Sequence, residues 1–315
     1  MKMRPVLRSI LKAAALSAAA LLVCMPVSVG PREMTHDGKG EESVFCAAVS
    51  VSDKAEAEIH MMLVGRFCAS MGVPSQTAIA AAGALDSLLL SRARIAVIDR
   101  PDSLAEGLLE SIDPGDCCVW VVREEDYALL RKIDSWIGRI TQSDHFERLR
   151  RSYLRGKNNV SLYQISPYDD IIKAGAEASG WDWRLLSSIV YHESRFTNEA
   201  SSGKGAVGLM QIREGKYSAD TLLDPAVNLS IGSRYLNRLE KMFTPLAADS
   251  TEALKFALAA YNAGEGMVRK WISAAQADSN DASRWDNVEP YAKKHTQKYV
   301  REVLKTYLDY CMMYE

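Results

Sequence analysis

Two hydrophobic periodicities divide this chain, and the divide falls near Lys157. Ahead of it, short apolar runs alternate with amphipathic stretches. Residues 44–51, 95–98 and 117–122 read as strands, and residues 54–71, 85–93 and 127–140 as helices, the first of these closed by Gly72. The alternation predicts a small, mostly parallel α/β layer. Beyond Pro167 the spacing is helical throughout. A helix over 168–179 is closed by Gly180, and Asp182 is placed to cap the next one. Asp224-Pro225 opens another helix, on which Val227, Ile231, Tyr235 and Leu239 share a face as core. Helices over 252–262 and 288–313 complete an all-α half. A length of 315 residues accommodates both units as separate domains.

The helix that follows Asp182 carries an anomaly. Leu186, Ile189, Val190 and Glu193 lie at offsets of three, four and seven, so one apolar stripe ends in a carboxylate. At the edge of an apolar face a carboxyl loses hydration, which disfavours its charged form and raises its pKa. A carboxyl still protonated near neutral pH is what a general acid requires. The plain alternative is a solvated Glu near a helix end, which for an isolated Glu is the commoner case.

The residues downstream decide between the two. Glu193-Ser194, Gly208-Leu209-Met210-Gln211, Ala260-Tyr261-Asn262-Ala263-Gly264 and Tyr299-Val300 resemble, in order, the four motifs of the soluble-lytic-transglycosylase family. The resemblance runs from near Ile171 to the C-terminus, and the link from Glu193 to Gly205-Ala206 matches without a gap. It implies an all-α, goose-lysozyme-like catalytic domain over residues 156–315 that cleaves the glycan strands of bacterial peptidoglycan without metal or cofactor. Glu193 would protonate the oxygen between N-acetylmuramic acid and N-acetylglucosamine. The muramyl C6 hydroxyl would then attack C1, with the same Glu as base, to leave a 1,6-anhydro end. An internal nucleophile supplies high effective molarity, so one carboxylate suffices where most glycosidases use two.

The resemblance also assigns companions, each with a simpler reading beside it. Ser194 would hydrogen-bond Glu193 or the sugar, or serve as a cap. Gly205 and Gly208 would let the backbone approach a saccharide, or form a tight turn. Met210 and Gln211 would line the cleft. Tyr261 would pack beside Glu193, and Asn262 would bind substrate or brace its loop. Tyr299 would bring its hydroxyl to the catalytic carboxyl, or sit in the core. His295 stands where the family often has Glu, and Asn198 where Pro is common. Trp181, Trp183, Trp271 and Trp285 are candidates for sugar stacking or for core.

Residues 1–30 read as an export leader. Lys2, Arg4, Arg8 and Lys12 precede a short apolar run over 13–23, too short to span a bilayer comfortably. Leu21-Leu22-Val23-Cys24 resembles a lipobox, which implies a lipid on Cys24 and an outer-membrane anchor; a cut near Ser28-Val29-Gly30 is the other route. Either exports the protein to the periplasm. Residues 31–42 are a Gly- and charge-rich linker.

Residues 43–150 resemble part of a periplasmic solute-binding domain, on Phe67-Cys68-Ala69-Ser70-Met71-Gly72-Val73, Arg94-Ile95-Ala96-Val97, Val119-Trp120-Val121-Val122-Arg123 and Ile133-Asp134-Ser135-Trp136-Ile137. Such domains close two lobes on a ligand, and this length provides one. A docking, spacing or regulatory lobe of unassigned partner is therefore favoured over an amino-acid receptor, and Arg123 reads as solvated rather than ligand-facing. Residues 144–155, dense in arginine, read as a solvated helix face. Cys24, Cys46, Cys68, Cys117, Cys118 and Cys311 show no metal-type spacing with His.

A net charge of −2 gives no basic excess, so nucleic acid is not indicated as a partner. Two rival functions remain beside the lytic transglycosylase: a muramidase of the same fold that uses water, and a non-catalytic peptidoglycan-binding scaffold.

Overall fold

The computed structural model describes residues 45–79, 84–89, 93–112, 114, 117–156, 161–203 and 205–314. The expected leader, the linker and Cys24 lie outside the described residues. The chain divides into two compact units, one comprising the described residues up to Gln164 with the terminal residues 312–314, the other residues 165–311.

The first unit is built on a sheet of five strands: β1 (Phe45–Ser50), β2 (Ser75–Ile79), β3 (Ile95–Asp99), β4 (Leu108–Glu110) and β5 (Cys118–Arg123), in the order β2-β1-β3-β5-β4. β1 runs parallel to β2 and β3, but β5 is antiparallel to both β3 and β4. The sheet is thus mixed rather than mostly parallel. Strands β2 and β4 went unanticipated because neither carries a long apolar run. The central strands do: Ile95–Val97 and Cys118–Val122 are fully buried, as strands covered on both faces should be.

Helices α1 (Lys54–Ser70), α2 (Ala84–Leu89), α3 (Tyr127–Ile140) and α4 (Asp144–Leu154) complete this unit. Asp53 caps α1 by accepting from the Glu56 amide, and Gly72 follows its end at φ 70°. Phe67 of α1, Trp120 of β5 and Trp136 of α3 meet edge to face or tilted, with centroids 5.8–6.2 Å apart. Two of the arginines expected to be solvated are partly buried and paired, Arg123 with Asp126 and Glu125, and Arg150 of α4 with the buried Glu56 at 2.5 Å, whereas Arg148, Arg151 and Arg155 are exposed as expected.

The second unit packs α5 (Asp169–Ser179), α6 (Trp183–Ser194), α7 (Ala219–Leu222), α8 (Pro225–Phe243), α9 (Ser250–Ala263), α10 (Glu265–Ala277), α11 (Trp285–Val288) and α12 (Lys294–Met313) around one apolar core. It is not wholly helical. Strands β6 (Ala206–Val207) and β7 (Ile212–Arg213) form a small antiparallel hairpin inside the segment between α6 and α7. Asp182 accepts from the Arg184 amide at 2.8 Å and caps α6, while Asp224 caps α8 ahead of Pro225. Trp181, Trp271 and Trp285 are buried core residues rather than sugar platforms, and Trp285 stacks edge-on against Phe256. Trp183 is partly buried, with the Lys173 ammonium 4.5 Å from its ring centre. Val227 turns outward, since α8 needs its opposite face for Leu229, Leu236 and Leu239.

Candidate active site

The stripe on α6 is oriented as its spacing demands. Leu186, Ile189 and Val190 are fully buried, and Glu193, one turn past Ile189, keeps only partial exposure. The helix ends just beyond it because Arg195 and Phe196 both adopt left-handed backbone angles, φ 55° and 59°. The Arg195 guanidinium folds back over the Tyr191 ring at 4.0 Å.

Tyr299, on α12, donates a 2.5 Å hydrogen bond to Oε1 of Glu193. Burial pushes the Glu193 carboxyl up from 4.5 to about 7, and the Tyr299 hydroxyl, which favours the carboxylate, opposes part of that rise. Tyr299 and Tyr261 are themselves held well above the ordinary tyrosine range, by burial first and then by the negative charge of Glu193. Both hydroxyls therefore stay protonated wherever Glu193 titrates. Tyr261 directs its hydroxyl to the Met210 carbonyl at 2.8 Å and lays its ring 5.5 Å from that of Tyr235.

The remaining candidates form the support of this group. Ser194 is buried and donates to the carbonyls of Val190 and Leu209, at 3.2 and 2.9 Å, tying the end of α6 to the 208–211 turn. Gly208 sits at φ 80°, and a Cβ there would come 2.3 Å from Asn228 Nδ2 and 2.6 Å from the Leu222 carbonyl oxygen. Its lack of a side chain thus serves a close approach within the protein. Met210, expected to line a cleft, has its side chain wholly in the core, against Gly232 of α8. Gln211, in a left-handed conformation at φ 47°, donates from Nε2 to the carbonyls of Ala200 and Gly208. Asn262 accepts from the Thr296 hydroxyl at 2.8 Å and so braces α9 against α12. Gly205 has open space around it, at φ 72°.

Asn228 is the residue that sequence reasoning missed. Fully buried on α8, it accepts from the Met210 amide at 2.8 Å and donates to the Val207 and Leu222 carbonyls at 2.9 Å each. One side chain thereby holds the turn whose Met210 carbonyl anchors Tyr261. A signal was present: Asn228 lies three residues before Ile231 and seven before Tyr235, a polar position on a face read as core.

The arrangement offers one proton-donating carboxyl with a neutral hydroxyl aimed at it. The downstream acids Glu199 and Glu214 are exposed. Among the described residues no group of three or more His, Cys, Asp or Glu side chains is placed to hold a metal.

Comparison with known proteins finds similarity across this site. Residues 170–283 match the family described as Transglycosylase SLT domain, a span that takes in Glu193, the 208–211 turn, Asn228, Tyr261 and Asn262, while Tyr299 follows it. The chain is 30% identical over 195 residues to the membrane-bound lytic murein transglycosylase F of Stutzerimonas stutzeri (strain A1501), an alignment covering 57% of this chain and 40% of that protein. Its counterpart in Desulfosudis oleivorans is 27% identical over 185 residues, covering 54% of this chain and again 40% of the relative. The chain thus spans about 40% of the length of these relatives. Among solved structures, the 70 kDa soluble lytic transglycosylase of Escherichia coli is 25% identical with a TM-score of 0.40, covering 59% of this chain and 34% of that one. The lytic transglycosylase Slt of Pseudomonas aeruginosa, solved as an inactive mutant, is 24% identical with a TM-score of 0.39, covering 59% and 33%.

Proposed function

We propose that the transglycosylase SLT domain of residues 170–283, completed by Tyr299, is a lytic transglycosylase that cleaves the β-1,4 bond between N-acetylmuramic acid and N-acetylglucosamine in peptidoglycan. The observation that carries this reading is the half-buried Glu193 carboxyl, raised to about 7 and met by the Tyr299 hydroxyl at 2.5 Å. At neutral pH such a group is present in both protonation states, which suits an acid that must next act as a base.

In the first step the Glu193 proton passes to the glycosidic oxygen as the bond from that oxygen to muramyl C1 breaks. The resulting carboxylate is stabilised by the Tyr299 hydrogen bond and faces the positive charge developing at C1. In the second step the muramyl C6 hydroxyl adds to C1 and its proton returns to Glu193. Water is neither consumed nor released, and the enzyme regains its starting state. A single carboxylate is enough because the nucleophile belongs to the substrate. The support residues act through position: Asn228, Ser194, Gly208, Met210 and Gln211 fix the turn, Tyr261 joins it to α9, and Asn262 joins α9 to α12. Backbone atoms of the turn, rather than the Met210 side chain, face the glycan in this reading.

The substrate places the protein in the periplasm, with residues 1–30 as export leader and Cys24 as the lipid-bearing residue of an outer-membrane anchor. The relatives' names describe them as membrane-bound, and among the described residues no helix is long and apolar enough to cross a membrane. The α/β unit serves as a docking or spacing lobe. Digestion of purified sacculi by the wild type and by Glu193→Gln, with the muropeptides weighed, tests the function. Anhydro-muramyl products from the wild type and none from the variant are expected. Reducing ends alone would establish a water-using muramidase, and sacculi bound but left intact by the wild type would establish a scaffold.

A further inference from the structure

We propose that Cys117 and Cys118 are a reversible dithiol–disulfide site, oxidised by small disulfides, at the entrance to β5. Neighbouring residues of an extended strand point to opposite faces. Here β5 begins only at Cys118, the chain bends at Cys117, and the two sulfurs come within 3.2 Å. Both are free thiols; Cys118 is fully buried, whereas Cys117 is partly exposed. That asymmetry assigns their roles, Cys117 meeting the reagent and Cys118 resolving. Cys117 also feels the Glu56–Arg150 ion pair, whose two charges act on it in opposite senses. Burial raises both thiols above their ordinary range, so the thiolate that attacks a disulfide is scarce at neutral pH and exchange at this pair is slow, quickening as pH rises.

The chemistry balances as thiol–disulfide exchange. The Cys117 thiolate attacks one sulfur of a small disulfide such as oxidised glutathione, forming a mixed disulfide and expelling one thiolate. The Cys118 thiolate then attacks the Cys117 sulfur and expels the second, so two thiols are oxidised and one disulfide is reduced to two thiols. The ring that closes is strained. Adjacent Cα atoms stand about 3.8 Å apart across a trans peptide, short of the roughly 4.4 Å at which relaxed disulfides begin. Strained disulfides are the readily reduced ones, which makes the site reversible rather than a structural staple.

The peptide enclosed in that ring is the one whose carbonyl, on Cys117, accepts from the Arg100 amide at 2.9 Å. Cys118 in turn pairs with Asp99 in the β3–β5 register. Arg100 begins the wall of a concavity of about 590 Å³ that also includes Asp102, Leu104, Leu108, Tyr127 and Leu130. Closing the ring turns the carbonyl away from Arg100, so oxidation is transmitted to that wall.

The test treats the full chain with oxidised glutathione, blocks remaining thiols under denaturing conditions and weighs the peptide holding both cysteines. The expected peptide is two hydrogens lighter, resists alkylation and becomes alkylatable at both positions after dithiothreitol. Cys118→Ser should retain glutathione on Cys117, and Cys117→Ser should retain none. Hydrogen exchange at the Arg100 amide should be faster in the oxidised wild type. Two alkylated thiols after exposure, glutathione left on wild-type Cys117, or a bond from either cysteine to Cys46 would overturn the site. Unchanged exchange at Arg100 would overturn its transmission to the concavity.

Discussion

The Tyr299 hydroxyl sits 2.5 Å from Oε1 of Glu193, so the last helix of the domain supplies the hydrogen bond that stabilises the charged form of an acid carried on α6. The two residues are 106 positions apart, and their meeting makes the catalytic reading one of geometry as well as motif.

Removing that hydroxyl should raise the acid further. Tyr299→Phe deletes the one contribution that lowers the Glu193 carboxyl, so its midpoint moves above the present value of about 7. The alkaline limb of the kcat/KM profile, which reports loss of the acid, should shift upward with it. Loss of a hydrogen bond to a charged group should lower kcat by about tenfold to a hundredfold. A pH–rate profile on sacculi checks both.

Glu193 should also shape stability against pH. Its folded pKa lies above the unfolded value, so the native state holds its proton more tightly and stability falls as pH rises from 4.5 through about 7. The full effect is on the order of 3 kcal/mol before solvent screening at the half-buried carboxyl reduces it. Glu193→Gln removes the penalty. Its melting temperature should therefore gain on the wild type at pH 8 relative to pH 5, as paired thermal melts would show.

Asn228→Ala leaves the Met210 amide and the Val207 and Leu222 carbonyls without their partner. A cost of about 3 kcal/mol or more is expected, measured by urea denaturation. Activity should fall by more than the folded fraction does, because the turn that anchors Tyr261 loosens.

Gly208→Ala tests the same turn by crowding. The added methyl meets Asn228 at 2.3 Å and must adopt φ 80°. A loss of roughly 2–4 kcal/mol is expected, combining overpacking with left-handed strain. Gly205→Ala, which meets no atom within 4 Å, carries the strain alone and should lose less.

Much of this was legible in the chain. Asp182, Asp224 and Gly180 announced helix ends because caps act through local backbone geometry. Glu193 stood out because a carboxylate interrupted a stripe that the fold does bury. Other features depended on long-range partners. The direction of β5 is set by its neighbours, and β6–β7 are too short to carry a period. Met210 and Ser194 sit in a motif that resembles a binding surface, yet their side chains face the core, and sequence position does not reveal which way a turn faces. Asn228 looked ordinary because its three partners come from segments on either side of it, Val207, Met210 and Leu222. The tryptophans divided toward core because α5 to α12 need large side chains to fill their shared interior.

The central claim is that Glu193 holds its proton near neutral pH. Titration of its side-chain carboxyl by carbon-detected NMR in the full chain, assigned by comparison with Glu193→Gln, measures this directly. A midpoint near 7 is predicted; a midpoint near the ordinary 4.5 would contradict the account.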